Sequence, residues 1–423
     1  MTARERVIET INHRIPDKVP IDLGGSHVST FSARAYQNVR KALGLESKPC
    51  ELTELFMYAA KVDDDVRQKL GIDTACLTYP VDTNGCRTNR LQRFVANDGA
   101  EAWIGADNTW DVRQDGTIVM YPKGDRTAPA STEMVPGGSF FNAIMKDRVP
   151  EFDEEELNAK EDWKDDFPPI TDEIAEELET ASRKLFYDTD YAIVGQFPYA
   201  QLGDGGVIAA PFVKYPKGPR RMDDFLAATL LCPEYIEEVF EMQTENAMKN
   251  LEIYKQAVGN RIQVILVSTA DYGSQAGTLI SPDLFRELYK PHYKKINDWI
   301  HENTEWKVMY HCCGSVVGFM DDYIDMGCDI LNPVQLSAKD MDAQMLNARW
   351  GEKMVFWGGG TDSQKTLSFG KPEDVYEEVL HRLTILSKNG GYVFNPVHNI
   401  VSDTKVDNIL AMFDAVHQFN KFK

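Results

Sequence analysis

The chain has 423 residues, 43% of them hydrophobic, and a formal net charge of −21 from 66 acidic and 45 basic side chains. A surface that acidic repels nucleic acid and anionic membrane, so neither is expected as a partner. The apolar content is enough for a large core, and the length is compatible with one large barrel as well as with two or three domains.

Residues 1–18 are polar and charged, without the apolar stretch of a secretion signal, and no uninterrupted apolar run approaches a membrane span. Seven cysteines without regular spacing do not suggest a disulfide framework. The expectation is a reduced, cytoplasmic protein. In chain order, short apolar runs rich in Val, Ile and aromatics occupy 19–23, 74–79, 192–196, 263–268, 307–311, 329–332, 354–357 and 392–395, as strands buried on both faces do. Residues 91–137 differ: short alternating runs from Trp103 to Tyr121, around Asp107-Asn108 and Asp115-Gly116, predict a β-hairpin insertion between strands two and three. Such an insertion is placed to cover a barrel mouth. The acidic stretch 151–166 reads as a solvated helix face and linker.

Helical patterns lie between most of the strands. Ser281-Pro282-Asp283 is a helix start, with Ser as cap and Pro in the first turn, and Leu284, Phe285, Leu288 and Tyr289 form one face. Val375, Val379, Leu383 and Leu386 stripe the helix after Pro372, and Ile409, Leu410, Phe413 and Val416 stripe the last one. Eight strands alternating with helices predict a single (β/α)8 TIM barrel spanning 1–423, with a doubly wound open sheet as the alternative.

Active sites of such barrels lie at the C-terminal strand ends. Those ends carry His27 after Gly24-Gly25, Tyr79, Tyr199, Asp271 with Gln275, His311-Cys312-Cys313, Gln335, Asp362 and His398. In an extended segment, side chains two positions apart point the same way, so His311 and Cys313 face one side together as half of a zinc site. His398, at the end of strand eight, opens into the same mouth and is the candidate third metal ligand, leaving a fourth position open. Asp271 is either an oxygen ligand or a carboxylate that orients His311. Plainer readings stand beside these: a histidine bonded to backbone, an Asp in a turn, a cysteine as a small buried hydrophobe. Cys312 is expected to face the core and Cys328 to be structural. Gly203-Asp204-Gly205-Gly206 lacks dinucleotide-site spacing, and there is no P-loop and no Gly-x-Ser-x-Gly elbow.

Several segments together resemble a known family. They are Arg4-Glu5-Arg6-Val7 to Asn12-His13-Arg14, Pro16-Asp17-Lys18-Val19-Pro20-Ile21-Asp22, Asp271-Tyr272-Gly273-Ser274-Gln275 with Leu279-Ile280-Ser281-Pro282, and His311-Cys312-Cys313-Gly314. Asp329-Ile330-Leu331-Asn332-Pro333-Val334-Gln335, Trp357-Gly358-Gly359-Gly360-Thr361-Asp362 and His398-Asn399-Ile400 complete the set. The chain resembles the uroporphyrinogen decarboxylase-like superfamily, in its corrinoid-dependent methyltransferase branch, over nearly its whole length. The resemblance implies a (β/α)8 barrel and a zinc ion held by His311 and Cys313. Thiol-methylating members take a further Cys near the end of strand eight, where this chain has Pro396-Val397-His398. Porphyrinogen decarboxylases carry an arginine-rich loop after strand one, where this chain has Gly24-Gly25-Ser26-His27-Val28-Ser29-Thr30 and no Arg.

The implied activity is a zinc-dependent methyltransferase moving a methyl group between a small methylated substrate, such as a methyl ether or amine, and a corrinoid protein. No cobalamin-binding Asp-x-His-x-x-Gly is present, so the corrinoid is expected on a separate partner. The missing strand-eight Cys favours demethylation over the alternative, methylcobalamin:thiol transfer. Asp271 and Gln275 are the expected catalytic groups; His27, Tyr79, Tyr199, Gln335 and Asp362 are expected to bind substrate. A decarboxylase-like lyase on a small acid and a catalytically silent binding barrel are the other readings. A homodimer is the candidate assembly.

Overall fold

A computed structural model describes residues 1–146 and 148–422. Seven parallel strands, Thr74–Leu77, Ala192–Gln196, Val264–Ser268, Lys307–His311, Ile330–Asn332, Val355–Trp357 and Tyr392–Val393, lie side by side in chain order. Each pairs in parallel with the next. Strictly sequential order excludes the doubly wound sheet, in which strand order reverses at a switch point. Residues 19–23 touch both edges of this curled sheet. Asp73 N–H donates to Ile21 O at 2.8 Å on one side; on the other, Asp22 N–H donates to Phe394 O at 2.8 Å and Phe394 N–H to Pro20 O at 2.9 Å. This is the arrangement of a (β/α)8 barrel, with strand one reduced to a single bridge, Ile21 to Phe394.

Strand alternation decides what faces inward. Ala192, Val194, Val264, Leu266, Met309, Ile330, Val355, Trp357 and Val393 form one buried cluster, joined by Val7 and Ile11 of helix Ala3–Ile11. That helix plugs the N-terminal end, anchored by Arg4 N–H to Asp190 O at 2.6 Å. The alternate residues, among them Ile193, Ile265, Val308, Tyr310, Leu331 and Phe356, pack in the outer core that includes the helices. Gln196, Ser268, His311 and Asn332 carry the inward phase to the C-terminal ends, so a buried polar layer caps the apolar interior.

Helix initiation follows the sequence: Ser281 Oγ accepts Leu284 N–H at 3.1 Å, and Pro282 sits in the first turn. The helix then widens to a π-turn over Phe285–Tyr289 before continuing as Lys290–Asn303. Pro291 explains the widening, since it has no N–H for the carbonyl four residues back and its ring would clash with it.

Between Leu77 and Ala192 the structure is β-rich, with different pairing from the predicted hairpin. Glu101–Gly105 pairs backward with Leu91–Val95, and Trp110–Val112 pairs forward with Ile118–Met120 around Asp115-Gly116. Asp107 lies in a turn that links strands of two different sheets, not in a hairpin; Asn108 Nδ2 donates to Asp82 Oδ2 at 2.5 Å and Gly105 O at 3.2 Å. Cys50–Glu54 joins the first sheet and Thr132–Met134 the second. The 151–166 linker reading needs correction at its end. Arg220 Nη1 donates to Asp166 Oδ1 at 2.6 Å with both side chains fully buried, and its guanidinium stacks 3.8 Å above Trp163. Asp166 is a core group, paired because burying a lone charge is prohibitive. No described helix is long and apolar enough to cross a membrane.

Candidate metal centre

Beyond His311 the chain turns sharply at Gly314, whose φ is +86°. A Cβ at Gly314 would lie 2.4 Å from Gly273 C, and one at Gly273 would lie 2.4 Å from Cys313 O. Only glycine at both positions lets the loops after strands four and five meet backbone to backbone. That contact brings Asp271 onto the cysteine loop: Asp271 Oδ1 accepts Cys313 N–H at 2.6 Å. Gln335 Oε1 accepts the next amide, Gly314 N–H, at 2.7 Å.

His311 is buried and its ring is oriented. Its Nδ1 lies 2.6 Å from Asn332 Oδ1, and Asn332 Nδ2 donates to Trp357 O at 3.0 Å. The carbonyl of the Asn332 amide therefore faces the ring, so His311 Nδ1 carries the hydrogen and Nε2 keeps a free lone pair. Cys313 Sγ sits 3.4 Å from that Nε2. An N and an S ligand on one tetrahedral zinc stand on the order of 3.5 Å apart, so this pair is already at ligand spacing. The His398 ring lies 5.1 Å from the His311 ring, centroid to centroid, at 79°. Ligand atoms of His311, Cys313 and His398 all fall within 4.8 Å of one another. His398 is less prepared, because Asn399 N–H donates to its Nδ1 at 2.7 Å.

Electrostatics suit a cation. Burial holds the His311 imidazole down at about 4, against the Asn332 hydrogen bond, and burial followed by repulsion from His311 takes His398 to about 3. Both rings are neutral donors at physiological pH. Burial first, then Asp271, pushes the Cys313 thiol well above its ordinary value. Asp271 touches the open mouth yet is crowded by protein atoms, and that crowding raises its carboxyl. Two imidazoles and a thiol, with a carboxylate behind them, make a donor set that fits zinc.

The other predicted residues divide. His27 Nδ1 and Gln196 Nε2 are bonded at 2.9 Å, and Asn399, the residue after His398, donates to His27 O at 2.8 Å. Tyr79 and Tyr199 are buried neighbours whose hydroxyls hydrogen-bond and whose rings meet edge to face at 5.7 Å. Asp271 neither ligates by this geometry nor orients His311; Asn332 does the latter. Gln335 supports the Gly314 turn. Gln275 is exposed at the rim and donates to Gln364 Oε1 at 2.7 Å. Asp362 Oδ1 accepts Gln364 N–H at 2.8 Å, a local turn bond. Cys312 faces the core, where its Sγ accepts Tyr272 N–H at 3.1 Å. Asn332 and Gln196 were not singled out from sequence, although each lies two positions beyond an inward apolar residue and so had to point into the barrel. A cavity of about 590 Å³ between strand two, the insertion and helix Asp172–Asp188 includes Tyr79 but none of the cluster.

Residues 212–419 match a family model described as uroporphyrinogen decarboxylase (URO-D). A uroporphyrinogen decarboxylase from Mannheimia succiniciproducens is 27% identical over 130 residues, which is 30% of this chain and 35% of that one. The chain thus aligns with about a third of that relative's length. A solved methyltransferase from Methanosarcina mazei superposes over 99% of both chains, with a TM-score of 0.56 at 16% identity, a likeness of fold.

Proposed function

From the match of residues 212–419 to the uroporphyrinogen decarboxylase family model and the metal-ligand cluster at the barrel mouth, we propose that this chain is a zinc-dependent methyltransferase. It moves a methyl group between a small methylated substrate and a corrinoid carried by a separate protein, with demethylation as the favoured direction. The observation that carries this reading is the convergence of His311 Nε2, Cys313 Sγ and the His398 ring at the barrel mouth. His311, Cys313 and His398 would hold the ion. Zinc, when bound, would supply a Lewis acid that polarises the heteroatom bearing the methyl group. Asn332 fixes which nitrogen of His311 is free, and Asp271 holds the Cys313 backbone in place. Tyr79, Tyr199 and His27 would bind substrate, while the apolar barrel below excludes water. Asp271, exposed at the mouth beside Cys313, would take up or release a proton.

The family description names a decarboxylase, which keeps a lyase reading in view. The loop after strand one, residues 24–30, holds no arginine to clamp substrate carboxylates, which favours methyl transfer. The test is to measure zinc in the purified protein, then mix it with a Co(I)-corrinoid protein and a panel of methyl ethers, methylamines and thioethers. Equimolar zinc and substrate-dependent loss of the Co(I) absorbance are expected, both abolished in His311→Ala and Cys313→Ala. Metal-free protein that releases carbon dioxide from a small acid would overturn the proposal.

A further inference from the structure

His27 lies on the loop after strand one, and three contacts fix it. Asn399 Nδ2 donates to His27 O at 2.8 Å, and Asn399 Oδ1 accepts Thr30 N–H at 2.7 Å, so the loop backbone is held by the residue after His398. The ring itself is held by Gln196, whose Nε2 lies 2.9 Å from His27 Nδ1.

The direction of that last bond is decided one step away. Tyr79 N–H can only donate, and it donates to Gln196 Oε1 at 2.9 Å. The Gln196 amide is therefore oriented with its NH2 towards His27. His27 Nδ1 must accept, so the hydrogen of the neutral ring is on Nε2. Among the described residues Nε2 has no hydrogen-bond partner, and the His27 side chain is only partly buried. It is a hydrogen-bond donor left free on the loop at the C-terminal end of strand one. Asn399 ties this loop to the metal cluster, since its side chain holds the His27 carbonyl at 2.8 Å while its backbone N–H donates to His398 Nδ1 at 2.7 Å.

We propose that His27 donates its Nε2 hydrogen to the heteroatom bearing the substrate's methyl group, and that Gln196 is the positioning residue that keeps the hydrogen there. The inference rests on the methyl-transfer reading and narrows it. As the methyl group departs, the electron pair of the breaking bond stays on that heteroatom. A fixed N–H donor stabilises the growing charge without reorganisation. The substrate must then offer a lone pair at that atom, as an ether or thioether does and a quaternary ammonium does not.

The arrangement is tested by nitrogen-15 NMR of the zinc-loaded full-length protein, titrated with 2-methoxyphenol as probe. The His27 ring is expected to show its hydrogen on Nε2, and that resonance is expected to move during the titration. In Gln196→Glu the carboxylate can only accept, so the ring hydrogen is expected to shift to Nδ1 with zinc content unchanged. Turnover of any ether substrate is expected to fall about a hundredfold in kcat, as for the loss of one fixed transition-state donor. A wild-type ring protonated on Nδ1, or an Nε2 resonance that stays still throughout the titration, overturns the assignment. Gln196→Leu removes the lock without adding charge and is expected to give a mixture of tautomers; a pure Nε2–H ring in that variant removes Gln196 from the role. Intact zinc with no methyl transfer would strike the proposed reaction alone, because both NMR readouts are independent of turnover.

Discussion

Asn332 Oδ1 accepts from His311 Nδ1 at 2.6 Å, and this one bond turns a buried histidine into a metal ligand with a defined free nitrogen. The amide cannot flip without losing its own bond to Trp357 O, at 3.0 Å. Asn332→Leu leaves the ring free to choose its tautomer. The expected result is about 10- to 100-fold weaker zinc binding, the usual effect of removing such an outer partner. Competition with a chromophoric chelator measures it; an unchanged affinity would mean that something else orients His311.

Gly314 is where backbone geometry and chemistry meet. Gly314→Ala combines a φ of +86° with a Cβ 2.4 Å from Gly273 C, so the two loops must part. A cost of at least about 3 kcal/mol is expected from strain plus clash. Zinc content should fall with it, because Cys313 and Asp271 separate. Gly137→Ala is the control. Its φ is +74° but its Cβ would meet nothing within 4 Å, so only about 1–2 kcal/mol of backbone strain is expected. Equal denaturation midpoints for the two variants would refute the steric account.

The Arg220–Asp166 pair is fully buried under Trp163. Asp166→Asn leaves a buried guanidinium without its counter-charge and should cost about 3–5 kcal/mol. Replacing both partners, as in Arg220→Met with Asp166→Leu, should cost much less than the single change. Urea midpoints of the three proteins decide the point, and a double variant no better than Asp166→Asn would show that the charge pair is not the issue.

Strand positions were legible where burial on both faces forces a continuous apolar run: 192–196 and 307–311 coincide with the observed Ala192–Gln196 and Lys307–His311. The His311–Cys313 pairing was legible for the same reason, since inward phase carries past the strand end. Pairing inside the insertion was not. Glu101–Gly105 could pair with either neighbour by local pattern, and its partner Cys50–Glu54 is remote in sequence. Asp166 looked solvated because its neighbours are acidic, and its cation lies 54 residues away. Asn332 and Gln196 escaped notice because an amide acquires a role only from what stands opposite it.

Asp329 predicts an acid limb. It accepts from His301 Nε2 at 2.8 Å, Lys307 Nζ at 3.1 Å and Val308 N–H at 2.8 Å. Burial raises its carboxyl, but the His301 hydrogen bond and the Lys307 charge outweigh that and hold it below its ordinary value. A depressed folded value stabilises the protein above the unfolded carboxylate range, roughly pH 4, and that stabilisation is lost as pH falls through the folded value. Asp329→Asn should therefore lower the urea midpoint at neutral pH, and the gap to wild type should close on acidification. A gap that stays constant with pH would assign the effect to packing.

His311 and His398 differ in readiness, and metal affinity should report it. His311 already presents Nε2 to Cys313 at 3.4 Å, whereas the His398 Nδ1 is occupied by Asn399 N–H and its remaining hydrogen lies on Nε2. To ligate, His398 must turn and give up a hydrogen bond of about 1 kcal/mol net. His311→Ala should therefore abolish stoichiometric zinc, while His398→Ala should retain it with weaker affinity. Cobalt substitution checks the geometry, because removing one imidazole while keeping the thiolate shifts the visible bands but leaves the sulfur charge-transfer band. If His398→Ala lost metal as completely as His311→Ala, the ring would have to be a full ligand already turned towards the ion.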